Sequence, residues 1–364
     1  MKEYASEYAA MALAFAVAMG VTAALGHVFI PWLHKLRFGQ TILEEVSWHK
    51  HKQGIPTIGG IMFIIGDAAA LLLAFAANAI RGGSFFREQG ALPYASGRGV
   101  LGKLAAGFLM ALLFALMGFV DDYTKKIKKQ NKGLSIAQKS LMQIAISVGY
   151  LFSLTLSMRH DAGNPGGRPF TLIPFLQGHV TMPVWLFMIF GFVVLYSATN
   201  AVNFTDGVDG LCSSVTITAA AALGVIAVLR GMFGVGAMAA ALAGGCAGFL
   251  VWNRNPAKVI MGDTGSMFLG GLVVAIAFAL DMPVILLLVG LVYVIEAGSV
   301  ALQVGYFKLT HGKRIFKMTP IHHSFEMSGW GEKKIVAVFT TVNLLGAAAG
   351  VAAVWFGLKF ALAG

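Results

Sequence analysis

The sequence predicts an all-α integral membrane protein of about ten transmembrane helices, and three observations carry that expectation. Hydrophobic residues make up 57% of the chain and charged residues 12%, with a mean hydropathy of +0.77, outside the range of a soluble domain. The apolar runs are continuous over about 20 residues, the length a helix needs to cross a bilayer, whereas barrel strands alternate over about ten. Five of the eight aspartates, Asp121, Asp122, Asp206, Asp209 and Asp263, stand at the ends of such runs. A carboxylate costs about 2.5 to 3.5 kcal/mol at the centre of a membrane helix, so a group of them asks for a function.

The runs fall at 8–33, 57–80, 101–120, 140–158, 183–202, 211–229, 233–252, 265–280, 283–306 and 335–361, and are expected to pack as one domain over 1–364. The 45 glycines, with pairs at Gly59-Gly60 and Gly270-Gly271, suit close helix approach through small residues. Cys212 and Cys246 lie inside spans and read as small buried hydrophobes, with no disulfide framework or thiolate zinc site implied. The first run follows Lys2, Glu3 and Glu7 and is longer than a signal-peptide core, so it is expected to be retained. Alternate connections hold 18 of the 27 Lys and Arg. By the positive-inside rule these connections are cytoplasmic, both termini face out, and all five aspartates share the cytoplasmic side. Part of the basic excess suits anionic lipid headgroups. The outer connections, 81–100 and 159–182, contain His160 and read as connectors, with Gly163-Asn164-Pro165-Gly166-Gly167 a turn signal for a short hairpin.

Five connections on the aspartate side carry chemistry-bearing residues. The third run ends in Asp121-Asp122-Tyr123, followed by Lys125, Lys126, Lys128, Lys129, Lys132 and Lys139. Adjacent carboxylates are held ionised by a divalent cation such as Mg²⁺ or by solvent-exposed lysine pairs, and the pattern allows both. The fifth run passes into Asn200-Ala201-Val202-Asn203-Phe204-Thr205-Asp206-Gly207-Val208-Asp209-Gly210. Four polar side chains among glycines exceed what a helix cap needs and suit a ligand. The seventh exits through Asn253, Arg254 and Lys258 to Gly262-Asp263-Thr264-Gly265-Ser266, where Asp263 is either an N-cap or a third metal- or phosphate-organising carboxylate. The ninth leads through Lys313, Arg314 and Lys317 to Pro320-Ile321-His322-His323-Ser324-Phe325-Glu326. Adjacent histidines diverge on a helix, so they suit anionic oxygens better than zinc. The first connection, with Trp48, Lys50, Lys52 and Thr57, reads as a membrane-surface anchor or as a phosphate contact.

Carboxylates, lysines and histidines on one bilayer face suggest a polyphosphate site. Two unit charges 4 Å apart interact by about 4 kcal/mol at an effective dielectric of 20, and a lipid phosphate approaching a diphosphate meets several such terms. Mg²⁺ held by aspartates offsets them. No Walker motif and no Gly-x-Gly-x-x-Gly loop following a strand is present, so a soluble-type nucleotide fold is not in play.

These motifs, with Lys52-Gln53-Gly54-Ile55-Pro56-Thr57-Ile58-Gly59-Gly60 ahead of them, make the chain resemble the phospho-N-acetylmuramoyl-pentapeptide transferases, within the wider polyprenyl-phosphate N-acetylhexosamine-1-phosphate transferases. The resemblance runs along nearly the whole chain. It implies transfer of phospho-N-acetylmuramoyl-pentapeptide from UDP-N-acetylmuramoyl-pentapeptide to undecaprenyl phosphate, giving lipid I and UMP with Mg²⁺, the first membrane step of peptidoglycan biosynthesis. It also implies a bacterial plasma membrane protein, a cytoplasmic-face cleft, a homodimer and no nucleic-acid partner. On the matching positions, Asp263 is the metal ligand, with Asp121 and Asp122 near the metal and the lipid phosphate, and His322 and His323 catalytic. Lys52, Thr57, Lys125, Lys139, Asn200, Asn203, Asp206, Asp209 and Asn253 line the cleft, with Asn203, Asp206 and Asp209 at the uridine-diphosphate end. Ser324 departs from the family's third histidine, which removes an ionisable ring there. A single displacement is favoured, because a phosphate monoester is already largely ionised at neutral pH. Two other readings stand beside it: a sister enzyme loading N-acetylglucosamine phosphate, and a transporter, which would place its polar groups near the midplane.

Overall fold

The computed structural model describes residues 4–36, 52–83, 85, 97–127, 133–159, 167–174 and 179–363. The expectations resting on Trp48, Lys50, Lys128, Lys129, Lys132 and His160 lie outside these residues, as does the turn sequence 163–166. Twelve helices are described: α1 (Ala5–Lys35), α2 (Ile61–Ile80), α3 (Gly97–Ile127), α4 (Ile136–Arg159), α5 (Val184–Thr205), α6 (Leu211–Leu229), α7 (Phe233–Asn253), α8 (Gly262–Ala279), α9 (Leu286–Val289), α10 (Leu291–Leu309), α11 (Ile321–Glu326) and α12 (Glu332–Ala363). Nine are long and apolar enough to cross a membrane singly. Cys212 and Cys246 are buried and free, as expected.

The ninth apolar run, expected as one span over 283–306, is broken. A 3₁₀ turn at Pro283–Ile285 and α9 precede Gly290, after which α10 departs at 89°. A break frees backbone groups that lipid cannot satisfy, so a neighbouring helix must do so. Asn343 of α12, fully buried, accepts from the Val292 N–H at 3.0 Å and donates to the Val289 carbonyl at 3.0 Å and to Thr218 Oγ1 at 2.7 Å. One carboxamide thus bridges both sides of the break.

Helix α8 is the axis of the bundle. Every residue from Thr264 to Ala279 is buried, and the helix packs against α3 and α5. Small residues set the approach: a Cβ on Gly270 would fall 2.8 Å from Thr199 Cα of α5, and one on Gly271 3.0 Å from Ala111 Cα of α3. Backbones come this close only without intervening side chains. At the C-terminal end of α8, Lys103 and Asp281 form a wholly buried ion pair with Nζ–O distances of 2.8 and 3.0 Å. The Asp281 carbonyl accepts from the Leu172 N–H at 2.7 Å. Leu172 belongs to an antiparallel pair, β1 (Phe170–Leu172) and β2 (His179–Thr181), registered Phe170 to Thr181. Both paired strands therefore lie downstream of the glycine-rich stretch 163–167 expected to close a hairpin. The Leu172 N–H is thus satisfied just beyond the α8 terminus. Eighteen helical residues, about 27 Å at 1.5 Å per residue, separate this cluster from the N-terminal end of α8.

Candidate active site

The N-terminal end of α8 meets the C-terminal ends of α3, α5 and α7. Gly118 lets α3 touch it, since a Cβ there would lie 2.2 Å from the Asp263 carbonyl oxygen. The segment before α2 docks by backbone pairing: Ile260 N–H donates to Pro56 O at 2.8 Å, Gly59 N–H to Ile260 O at 2.9 Å, and Gly60 N–H to Met261 O at 3.1 Å. Half-buried Thr57 is carried on this ladder. Gly262 turns the chain into α8 at φ +70°, a left-handed conformation open to glycine.

Asp121 and Asp122, consecutive on α3, take different tasks. Asp122 caps α8 from outside: its carboxylate accepts from Thr264 N–H at 3.0 Å, Thr264 Oγ1 at 2.8 Å and Asp263 N–H at 3.3 Å. It occupies the place an N-cap side chain would, where the helix dipole favours negative charge. Asp263 is therefore free of the capping role and lies in the first turn of α8. Its Oδ2 sits 3.1 Å from Lys125 Nζ and 2.9 Å from Lys139 Nζ, and its Oδ1 accepts from Asn203 Nδ2 at 3.1 Å. Asp121 Oδ2 faces the same ammonium groups at 2.7 and 3.0 Å, while its Oδ1 accepts from Leu134 N–H at 2.7 Å. Asn203 Nδ2 also donates to Ser266 Oγ at 2.7 Å. One oxygen each of Asp121, Asp122 and Asp263 lie within 4.8 Å of one another.

A second charged centre adjoins the first. Lys52 is buried and holds Asp209 Oδ1 at 2.7 Å and Glu332 Oε2 at 2.8 Å. Asp209 Oδ2 accepts from Ala257 N–H at 2.9 Å and Asn255 Nδ2 at 3.3 Å. Asn253 receives Gly210 N–H at 3.1 Å and donates to Val259 O at 2.9 Å, tying the 206–210 turn to α7. Asp209 is thus held by ion pairing and is not the cap of α6, whose N-cap is Gly210 at φ +80°. Asp206 stands between the centres. Burial first, then the neighbouring carboxylates Asp263, Asp122 and Asp209, push its carboxyl well above the usual range, with Lys52 opposing.

His322 is fully buried beside the same turn. Its Nε2 would lie 2.1 Å from a Cβ at Gly207, so the ring occupies the space a side chain would need. His322 and His323 have ring centroids 4.1 Å apart, and His323 Nδ1 pairs with Glu326 Oε2 at 2.6 Å. Asn200 is turned toward α4, donating to Gln143 Oε1 at 2.9 Å and to Tyr196 O at 2.7 Å. The site also contains residues outside the sequence motifs, Glu332 as a partner and Gln143 and Glu296 as supports, while Thr264 and Ser266 of the Gly262–Ser266 motif gain partners that the motif alone did not assign. Glu332 lies 280 residues from Lys52, and nothing local marks it beyond an acid in the first turn of a helix.

A bundle of apolar helices with clustered carboxylates and lysines at one end marks a polytopic membrane protein with a charge-organising site, and residues 104–281 match the model of glycosyl transferase family 4, which makes it a transferase. The chain is 42% identical over 343 residues to a phospho-N-acetylmuramoyl-pentapeptide-transferase of Listeria welshimeri, covering 94% of this chain and 97% of that one. It is 41% identical to the same-named protein of Acetivibrio thermocellus, covering 91% of each, and 40% identical to that of Clostridium perfringens, covering 92% of this chain and 95% of the relative. The chain belongs to the phospho-N-acetylmuramoyl-pentapeptide transferase family.

Proposed function

We propose that this protein transfers phospho-N-acetylmuramoyl-pentapeptide from its UDP-linked donor to undecaprenyl phosphate, forming lipid I and UMP at the cytoplasmic face of a bacterial plasma membrane. The observation that carries the reading is the cluster of Asp121, Asp122 and Asp263 against Lys125 and Lys139 at one end of α8. Three carboxylates and two ammoniums leave a net negative site of hard oxygen donors, the chemistry that suits Mg²⁺. Asp263 and Asp121 would hold it, with Asp122 beside them. Bound there, Mg²⁺ supplies charge neutralisation and polarisation of phosphoryl oxygens.

The remaining work belongs to the chain's own side chains. Lys125 and Lys139 release their hold on Asp121 and Asp263 to pair with phosphate oxygens, lowering the repulsion between lipid phosphate and diphosphate. An oxygen of the lipid phosphate attacks the β-phosphorus, and the bond from that phosphorus to the α–β bridging oxygen breaks, releasing UMP. Asp121 positions the lipid phosphate and accepts a proton where one remains, because Asp122 is engaged by Thr264. Asn203, Asp206 and Asp209 face the nucleotide end, supported by Lys52, Thr57 and Asn253, with His322 and His323 closing that side. Asn200 supports this region through Gln143. The family resemblance supports a homodimer as the working unit.

The test is release of UMP by purified protein given undecaprenyl phosphate, Mg²⁺ and either UDP-N-acetylmuramoyl-pentapeptide or UDP-N-acetylglucosamine. Turnover is expected with the first donor only, and chelation by EDTA should abolish it. Turnover with the second donor alone would transfer the protein to the sister activity.

A further inference from the structure

Glu296 does not belong to any of the sequence motifs, and a charged residue midway along an apolar run calls for a partner. It has one. Its Oε1 lies 3.1 Å from His322 Nδ1, and both side chains are 0% exposed. Among the described residues none of the four polar atoms of these two side chains has a partner in aligned hydrogen-bonding geometry, so the 3.1 Å approach of Nδ1 to the carboxylate is a charge contact. A carboxylate enclosed this completely is sustained by the one polar group it meets.

The geometry assigns Glu296 as the positioning residue for His322. The imidazole is clamped between two elements: Nδ1 faces Glu296 on α10, and Nε2 faces Gly207 in the 206–210 turn. A carboxylate can only accept, so it draws the imidazole proton to Nδ1. In the neutral ring Nε2 then carries a lone pair directed at the turn, where the donor's nucleotide end would lie. Helix α11 has only six residues, too few to orient a side chain alone. Its anchorage comes from Phe325, whose ring meets Trp330 at 4.7 Å and Phe339 at 5.6 Å, which locates the helix but leaves the imidazole proton undetermined. The bend at Gly290 acquires a purpose in this arrangement, since it redirects α10 and brings Glu296 under His322. The kinetic part of this inference rests on the transferase reading; the tautomer does not.

The experiment compares Glu296→Gln, Glu296→Asp, His322→Gln and the Glu296→Gln/His322→Gln double variant, using full-length protein labelled with ¹⁵N-histidine. The wild-type His322 resonance, identified by its loss in His322→Gln, should report a proton on Nδ1. In Glu296→Gln, where the amide can donate or accept, that preference should be lost, and Glu296→Asp should restore it. In turnover, Glu296→Gln should lower kcat by about tenfold or more while KM for the donor stays within about threefold, and the double variant should be no slower than His322→Gln alone. An unchanged tautomer in Glu296→Gln, or losses that multiply in the double variant, would overturn the assignment. Absence of turnover in the wild type would instead remove the transferase reading and leave the tautomer measurement to decide the pair. Should Glu296→Gln not fold, the Asp variant decides: a tautomer differing from wild type with a carboxylate still present overturns the proposal.

Discussion

At the scale of single residues, the two neighbouring aspartates show how identical chemistry is divided by backbone direction. Successive positions on α3 point about 100° apart, so Asp122 meets the exposed amides of α8 while Asp121 meets Lys125 and Lys139. Asp263, released from capping, is the carboxylate shared by both lysines and Asn203. Replacing it with alanine should reduce UMP release to background while the thermal transition stays near that of the wild type, because it is one of three carboxylates in a cluster that lysines and not the core balance. Near-normal turnover in that variant would remove Asp263 from the centre of the site. The motif positions were legible in the sequence because acids at the ends of apolar runs are conspicuous there. Their division of labour was not, since the amides that Asp122 caps and the ammoniums that Asp263 shares arrive from segments more than 100 residues away.

Among the elements, the bent pair α9 and α10 departs furthest from expectation. Hydropathy reads 283–306 as one continuous run, and a 3.6-residue period contains no information about direction across Gly290. The bend persists because Asn343 satisfies both sides of it from α12. Substituting leucine for Asn343 should therefore leave the Val292 N–H and Val289 carbonyl unpaired, costing about 1 to 3 kcal/mol for each group. The measurement is SDS-induced unfolding of detergent-solubilised protein, with activity lost at lower SDS than in the wild type; equal resistance would show that the break does not need this carboxamide. The sequence does contain the glycine, but Gly290 resembles every other small residue in a membrane helix until its neighbours are placed.

For the whole molecule, α8 joins two polar ends through an apolar middle. The distal end is built on Lys103 and Asp281, each 0 to 1% exposed. Breaking a buried pair from one side strands the other charge, so Lys103→Ala should destabilise by about 3 to 5 kcal/mol, and Asp281→Asn added to it should recover part of that loss in the same SDS titration. A second prediction concerns orientation. The distribution of Lys and Arg predicts that both termini face out of the cell; single cysteines introduced near residues 4 and 363 should then react with an impermeant maleimide in intact cells, and protection of both would invert the assignment. By itself, the sequence determined the membrane class, the approximate number and position of the spans, the family, and the end of the bundle on which its acids gather. These follow from local properties, namely the length of apolar runs, the charge of connections and short ordered motifs. Only the tertiary structure decided that Asp122 caps α8, that Glu332 completes the Lys52 and Asp209 pair, and that Glu296 reaches His322 across a broken span. Each of these depends on contacts between residues distant in the chain, whose partners are selected by helix packing and backbone direction and leave no periodic trace in either segment.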